Sequence, residues 1–107
     1  MFSDHFTKIQ QQPYNLERIG WYKCRIPTRF KPKMIEANHE YVELVTAGTV
    51  FHTLDNRELT LHCGALFWEI PGDLTISRTA EQDPYQCLTV LFSSRLNVSR
   101  RVPLLTT

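Results

Sequence analysis

The residues best placed to do chemistry in this 107-residue chain stand close together, at His39, Tyr41 and Glu43. Side chains of an extended strand repeat their facing every two residues. These three therefore share one face, and Val42 and Leu44 take the other. An imidazole, a phenol and a carboxyl group side by side are costly to bury dry. They suit a face that meets a polar ligand, water or one another. Aromatic rings stack on sugars and carboxylates accept hydrogen bonds from hydroxyls, so sugars and other small polar metabolites fit such a face. The competing reading is structural: Glu43 pairs with a core cation such as Arg78, and Tyr41 is ordinary core.

Other chemistries find less to work with. Glu40 and Glu43 lie on opposite faces, a poor arrangement for a general acid and base. Cys63 adjoins His62, but neighbours in a strand point apart, which argues against a Cys–His nucleophile. His39, Glu43, His52 and His62 are the available metal ligands. A metal generally needs three or four ligands at fixed geometry, and His52 and His62 are read as facing solvent. No metal site is predicted. There is no GxGxxG, P-loop, HExxH or GxSxG motif, so no cofactor and no catalytic residue are predicted. The three cysteines, Cys24, Cys63 and Cys87, are widely spaced and odd in number. They are read as free, small, buried hydrophobes.

Charge narrows the partners. Twelve basic and 11 acidic residues give a formal net charge of +1. A dedicated nucleic-acid binder needs a surplus of Lys and Arg to displace counterions from phosphates. A polybasic membrane-surface protein needs one too. No apolar run approaches the ~20 residues of a membrane span, and the polar stretch from Met1 to Tyr14 has no hydrophobic signal region. The expectation is a soluble, cytoplasmic protein with no membrane partner.

The elements that must position the 39–41–43 face are short strands. Ile19 to Ile26 alternates, with Tyr22, Cys24 and Ile26 on one side. Phe30 to Glu36 is extended, and Pro27 and Pro32 favour an edge or bend. Tyr41 to Ala47 and Thr49 to Leu54 flank Gly48. Asp55-Asn56 is a tight hairpin signal, because both residues tolerate the left-handed backbone region. Arg57 to His62 alternates again. Ala65 to Ile70 is an apolar run closed by Pro71-Gly72-Asp73. Leu74 to Arg78 and Tyr85 to Phe92 complete the set. Trp21, Phe67 and Trp68 are the expected large core or pocket surfaces. Strands at this spacing, with turn signals between them and no helical period, predict an all-β sandwich or closed barrel. The expected layout is an N-terminal arm at 1–15, the β-domain at 16–95, and a C-terminal tail at 96–107 that is a surface strand or the start of a linker.

Three segments carry a family resemblance: "HEYVELVTAG", "LTLHCGALFWEIPGD" and "PYQCLTVLF". In order and spacing they resemble the sensor domain of the AraC (arabinose-regulator) family of transcription factors, which is a cupin. The resemblance covers His39 to Phe92, about half the chain, and its individual motifs are degenerate. It implies a jelly-roll, double-stranded β-helix barrel whose interior is lined by the 39–41–43 face. Trp68, Thr75, Ser77 and Arg78 follow toward the same interior. The implied ligand-binding residues are thus His39, Tyr41, Glu43, Trp68, Thr75 and Arg78. Metal-binding cupins carry ligands where this chain has Tyr41 and Thr75, so the resemblance also implies no metal.

The function implied is effector sensing. The effector is a small polar molecule, a sugar among the candidates, and dimerisation accompanies it in the family. The arm would fold over the barrel mouth. DNA would be contacted only through a helix-turn-helix domain outside this chain, which would then be the N-terminal part of a longer regulator. The alternatives are a stand-alone small cupin enzyme, a metal-dependent isomerase or dioxygenase-like protein, and a structural dimerisation module with no effector.

Overall fold

The computed structural model describes residues 14–25, 32–76, 78–94 and 103–107. Within them the protein is all-β. The seven strands are β1 (Tyr14–Lys23), β2 (His39–Ala47), β3 (Val50–Leu54), β4 (Arg57–Leu61), β5 (Leu66–Glu69), β6 (Gln86–Ser94) and β7 (Leu105–Thr106). Five of them form one antiparallel sheet in the order β1-β6-β2-β5-β7, and β3 and β4 form a hairpin.

The hairpin turns at Asp55-Asn56, whose φ angles of 51° and 63° are both positive, as a tight two-residue β-turn of this hand requires. At Gly72, φ is +94°. There the chain leaves β5, and the Asp73 N–H donates to the Ile70 carbonyl. It then pairs with 33–35, through Ile35 N–H to Asp73 O and Thr75 N–H to Lys33 O. Thr49 to Phe51 pair with Arg78 to Asp83, through Phe51 N–H to Arg78 O and Ala80 N–H to Thr49 O. These pairings and the β3–β4 hairpin make a second, irregular layer.

The core lies between the two layers. Val45, Phe67 and Cys87 from the sheet pack with Val50, Leu61, Ile76 and Tyr85 from opposite it, and Cys24 and Ala65 close the cluster. Register explains which side chains the sheet sends inward. Tyr41 faces Leu91 and Glu69 across the ladder, Glu43 faces Thr89 and Phe67, and Gly20 faces Thr89. Residues directly opposite one another share a face. The inner face is therefore Arg18, Gly20 and Tyr22, then Leu91, Thr89 and Cys87, then Tyr41, Glu43 and Val45, then Glu69 and Phe67. At Gly48, just past the end of the β2–β6 ladder at Ala47 and Gln86, two backbones run very close together. A Cβ there would lie 2.3 Å from the Pro84 carbonyl oxygen and 2.5 Å from the Tyr85 Cα, and only glycine fits such an approach at φ +80°.

Several expectations change. Tyr14 and Asn15 belong to β1 rather than to an arm, because they pair with Ser94 and Ser93; residues 1–13 lie outside the described residues. Of the two readings of the tail, residues 105–106 take the strand: β7 pairs with the edge of β5 at Leu66 and Phe67. Leu74 to Arg78 forms an isolated bridge, Met34 to Leu74, in place of a strand, and Ser77 lies outside the described residues. Trp21 is 66% exposed and not core: its partner across the ladder is the outward-facing Leu88. Cys24 and Cys87 are buried, whereas Cys63 sits exposed in the turn before Gly64.

Candidate functional site

The inner face of the sheet borders a cavity of about 640 Å³, within the range of small-molecule sites. Strand alternation brings His39, Tyr41 and Glu43 to its wall from β2. Thr75 joins them from the segment after the Pro71-Gly72 turn. Its hydroxyl accepts a hydrogen bond from the Lys33 N–H at 2.8 Å, which ties the 33–36 segment to the cavity edge. Four of the six residues expected at the site thus converge on one space.

The other two do not. Trp68 is on the opposite face of β5. It donates its indole N–H to Glu40 Oε1 at 2.9 Å and stacks on Phe92 at 6.4 Å between ring centroids. The parity of the strand explains this: Trp68 is opposite Val42, an outward residue, while its neighbours Phe67 and Glu69 point inward. Arg78 is also displaced. Its guanidinium lies over the Phe51 ring and donates to Glu58 at 2.7 Å with both side chains about half exposed. The pairing of Glu43 with Arg78 is therefore absent.

Glu43 is instead held by the backbone: the Ile76 N–H donates to Glu43 Oε2 at 3.1 Å. Its side chain is buried, with Glu69 beside it on the neighbouring strand. Glu69 is wholly buried, and neither of its oxygens meets a hydrogen-bond partner at ordinary geometry among the described residues. Burial first, and the adjacent Glu43 carboxyl group second, push the Glu69 pKa up to about 11. It is a neutral acid at physiological pH. Two like groups so close cannot readily both ionise.

Three tyrosines complete the cavity. Tyr22 comes from β1, Tyr41 from β2 and Tyr85 from the loop before β6. The Tyr22 and Tyr85 rings are 5.4 Å apart and tilted by 36°. Burial raises the pKa of all three phenols, and the charge of Glu43 adds to the rise at each. They remain neutral donors and aromatic surfaces.

Tyr22, Tyr85 and Glu69 were not foreseen at the site. A carboxyl group inside the apolar run Ala65 to Ile70 was the available signal for Glu69. Tyr22 shared an alternating face with the buried Cys24. Tyr85 gave no local sign, since it lies just before β6 and meets Tyr22 of β1, far away in sequence.

The histidines serve other ends. His39 donates its Nδ1–H to the Ala37 carbonyl oxygen, 2.9 Å away. His62 is exposed and bonds the Thr49 hydroxyl, which donates in turn to Asp83. His52 does not face solvent as expected. It is half-buried edge-on to Phe67, 5.1 Å between centroids, and burial lowers its pKa. Among the described residues, no three His, Cys, Asp or Glu side chains converge as a metal site. Among the described residues no helix is long and apolar enough to cross a membrane.

No protein-family model matches the chain, and no curated protein matches it.

Proposed function

We propose that this domain is a small-molecule sensor of the AraC-regulator type, folded as a cupin jelly-roll, that binds a small polar effector between its two layers. The observation that carries the proposal is the convergence of His39, Tyr41, Glu43 and Thr75 on one cavity of about 640 Å³. On the cupin reading Tyr41 and Thr75 stand where metal-binding cupins carry ligands, and here they would offer hydroxyl groups to an organic molecule. A buried carboxyl group and several phenols make a wall that rewards a ligand rich in hydrogen-bond donors. Sugars are the first class to test. DNA recognition would belong to a helix-turn-helix domain outside these residues, with dimerisation coupling the two, and the domain itself would be cytoplasmic and non-enzymatic. Such a domain transmits binding as a shift between conformations, so the effector must bind one of them better.

The test is thermal denaturation in the presence of a sugar and polar-metabolite panel. An effector at a hundred times its Kd stabilises the fold by about 2.7 kcal/mol. Glu43→Ala and Tyr41→Ala should lose that shift, whereas Arg78→Ala and Trp68→Phe should keep it, because those two side chains lie away from the cavity. A shift that survives in Glu43→Ala but vanishes in Arg78→Ala would move the site elsewhere and overturn the proposal.

A further inference from the structure

Glu43 is the electrostatic centre of the cavity. It is 4% exposed, and its charge acts on Tyr22, Tyr41, Glu69, Tyr85 and Cys87, groups drawn from four strands and a loop. A carboxylate accepts at about four lone-pair sites, and two donors stand against Glu43 here: the Ile76 N–H and the protonated Glu69 carboxyl group beside it. Among the described residues no Lys, Arg or His forms an ion pair with it. The protonated Glu69 beside it adds no second charge. Burial of a charge is tolerable when a counter-charge or further donors complete it. Around it stand the rings of Tyr22, Tyr41 and Tyr85, whose faces carry the negative side of the aromatic quadrupole and attract cations. The exposed Arg18 and Lys33 line the outer part of the same cavity. Polar acceptors at the other end of a ligand would meet them there.

We infer that the cavity selects a small ligand carrying a protonated amine, its ammonium group seated against Glu43 among the rings of Tyr22, Tyr41 and Tyr85. The inference rests on the small-molecule reading proposed above and narrows its ligand class. A neutral polyol supplies hydroxyl donors to the carboxylate but leaves the charge uncompensated. An ammonium group supplies three donors and the counter-charge together.

The experiment is calorimetric titration of the intact chain with matched pairs that differ only in the nitrogen: glucosamine against glucose, and 2-phenylethylamine against 2-phenylethanol. The amine of at least one pair should bind about tenfold or more tighter than its alcohol, a difference near 1.4 kcal/mol. Glu43→Gln, which keeps the shape and removes the charge, should reduce that preference to less than about threefold. Tyr41→Leu should weaken the amine more than the alcohol, which keeps the test open if Glu43→Gln does not fold. Alcohols that bind as tightly as the amines, or more tightly, would overturn the ammonium site while leaving the small-molecule reading intact. Amines whose preference is unchanged in a folded Glu43→Gln would overturn it as well. Failure of all four compounds to bind would count against both.

Discussion

The two faces of the five-stranded sheet are made by the same strands and carry opposite chemistry. Inward, β2 and β5 send Tyr41, Glu43 and Glu69, with Glu43 and Glu69 almost wholly buried. Outward, β1 and β6 present Leu16, Ile19, Trp21 and Leu88, all substantially exposed. An alternating strand with one polar and one apolar face ordinarily turns the apolar side in. Here the inner side at β2 and β5 mixes Tyr41, Glu43 and Glu69 with Val45 and Phe67, because that side borders a cavity as well as a core, while on the outer side of β2 the buried Glu40 is hydrogen-bonded to Trp68. Phe67 shows the boundary. It is buried between Glu43 on its own sheet and His52 on the hairpin, and it carries the apolar packing that a cavity beside it does not supply.

The largest effect that separates the faces is expected at Phe67. Phe67→Ala removes a buried ring from the centre of the core, a change that typically costs about 3–5 kcal/mol. Chemical denaturation should show a midpoint far below the wild type, or no folded protein at all. A loss no larger than that of an exposed aromatic would mean that the layers do not pack as described.

Next in size is a pH effect from Glu69. In the folded protein it releases its proton near pH 11, against an ordinary value of 4.5. Between those values the folded state holds a proton that the unfolded state has lost. Stability from this group is therefore fully present below about pH 4.5 and falls as pH rises through the window, by at most about 1.4 kcal/mol per pH unit. Glu69→Gln is neutral at every pH, so its Tm should decline less between pH 5 and pH 8 than that of the wild type. His52 acts in the opposite sense. Burial lowers its pKa, so its contribution is present above about pH 6.5 and lost as pH falls. Since both proteins contain His52, that contribution cancels in the difference. Parallel curves for the two proteins would show that Glu69 is ionised, or solvated, in the folded state.

Strand parity was legible in the sequence, and it placed His39, Tyr41 and Glu43 together. The turn at Pro71-Gly72 and the hairpin at Asp55-Asn56 were legible as well, because backbone conformation there is decided by one or two residues. Which face of β1 and β5 turns inward was not. Trp21 and Trp68 looked like core by size, yet both sit on the outer face, since facing is set by register with β6 and β2, a long-range property. Arg78 was placed near the cavity by the resemblance, as a residue following the second motif toward the interior. It instead meets Phe51 and Glu58, because the segment after Ile76 crosses to the hairpin. Glu69 and Tyr85 became site residues only through partners far away in sequence.

The smallest effect sharpens the comparison from the other side. Trp21 is as large as any residue in the chain, and by composition alone its loss should rival that of Phe67. The residue is 66% exposed and faces Leu88 across the ladder. Trp21→Thr keeps a good strand former at the position and removes little buried area. What is lost is one exposed cross-strand pair, worth about 0.2–1 kcal/mol. The denaturation midpoint should shift by correspondingly little with no change in slope, and ligand-induced stabilisation should be retained, since the side chain points away from the cavity. A loss of about 3 kcal/mol, in the range of a core aromatic, would mean that the outer face of β1 is covered in solution. In that case the contrast between the two faces would be one of what covers them, not of whether they are covered.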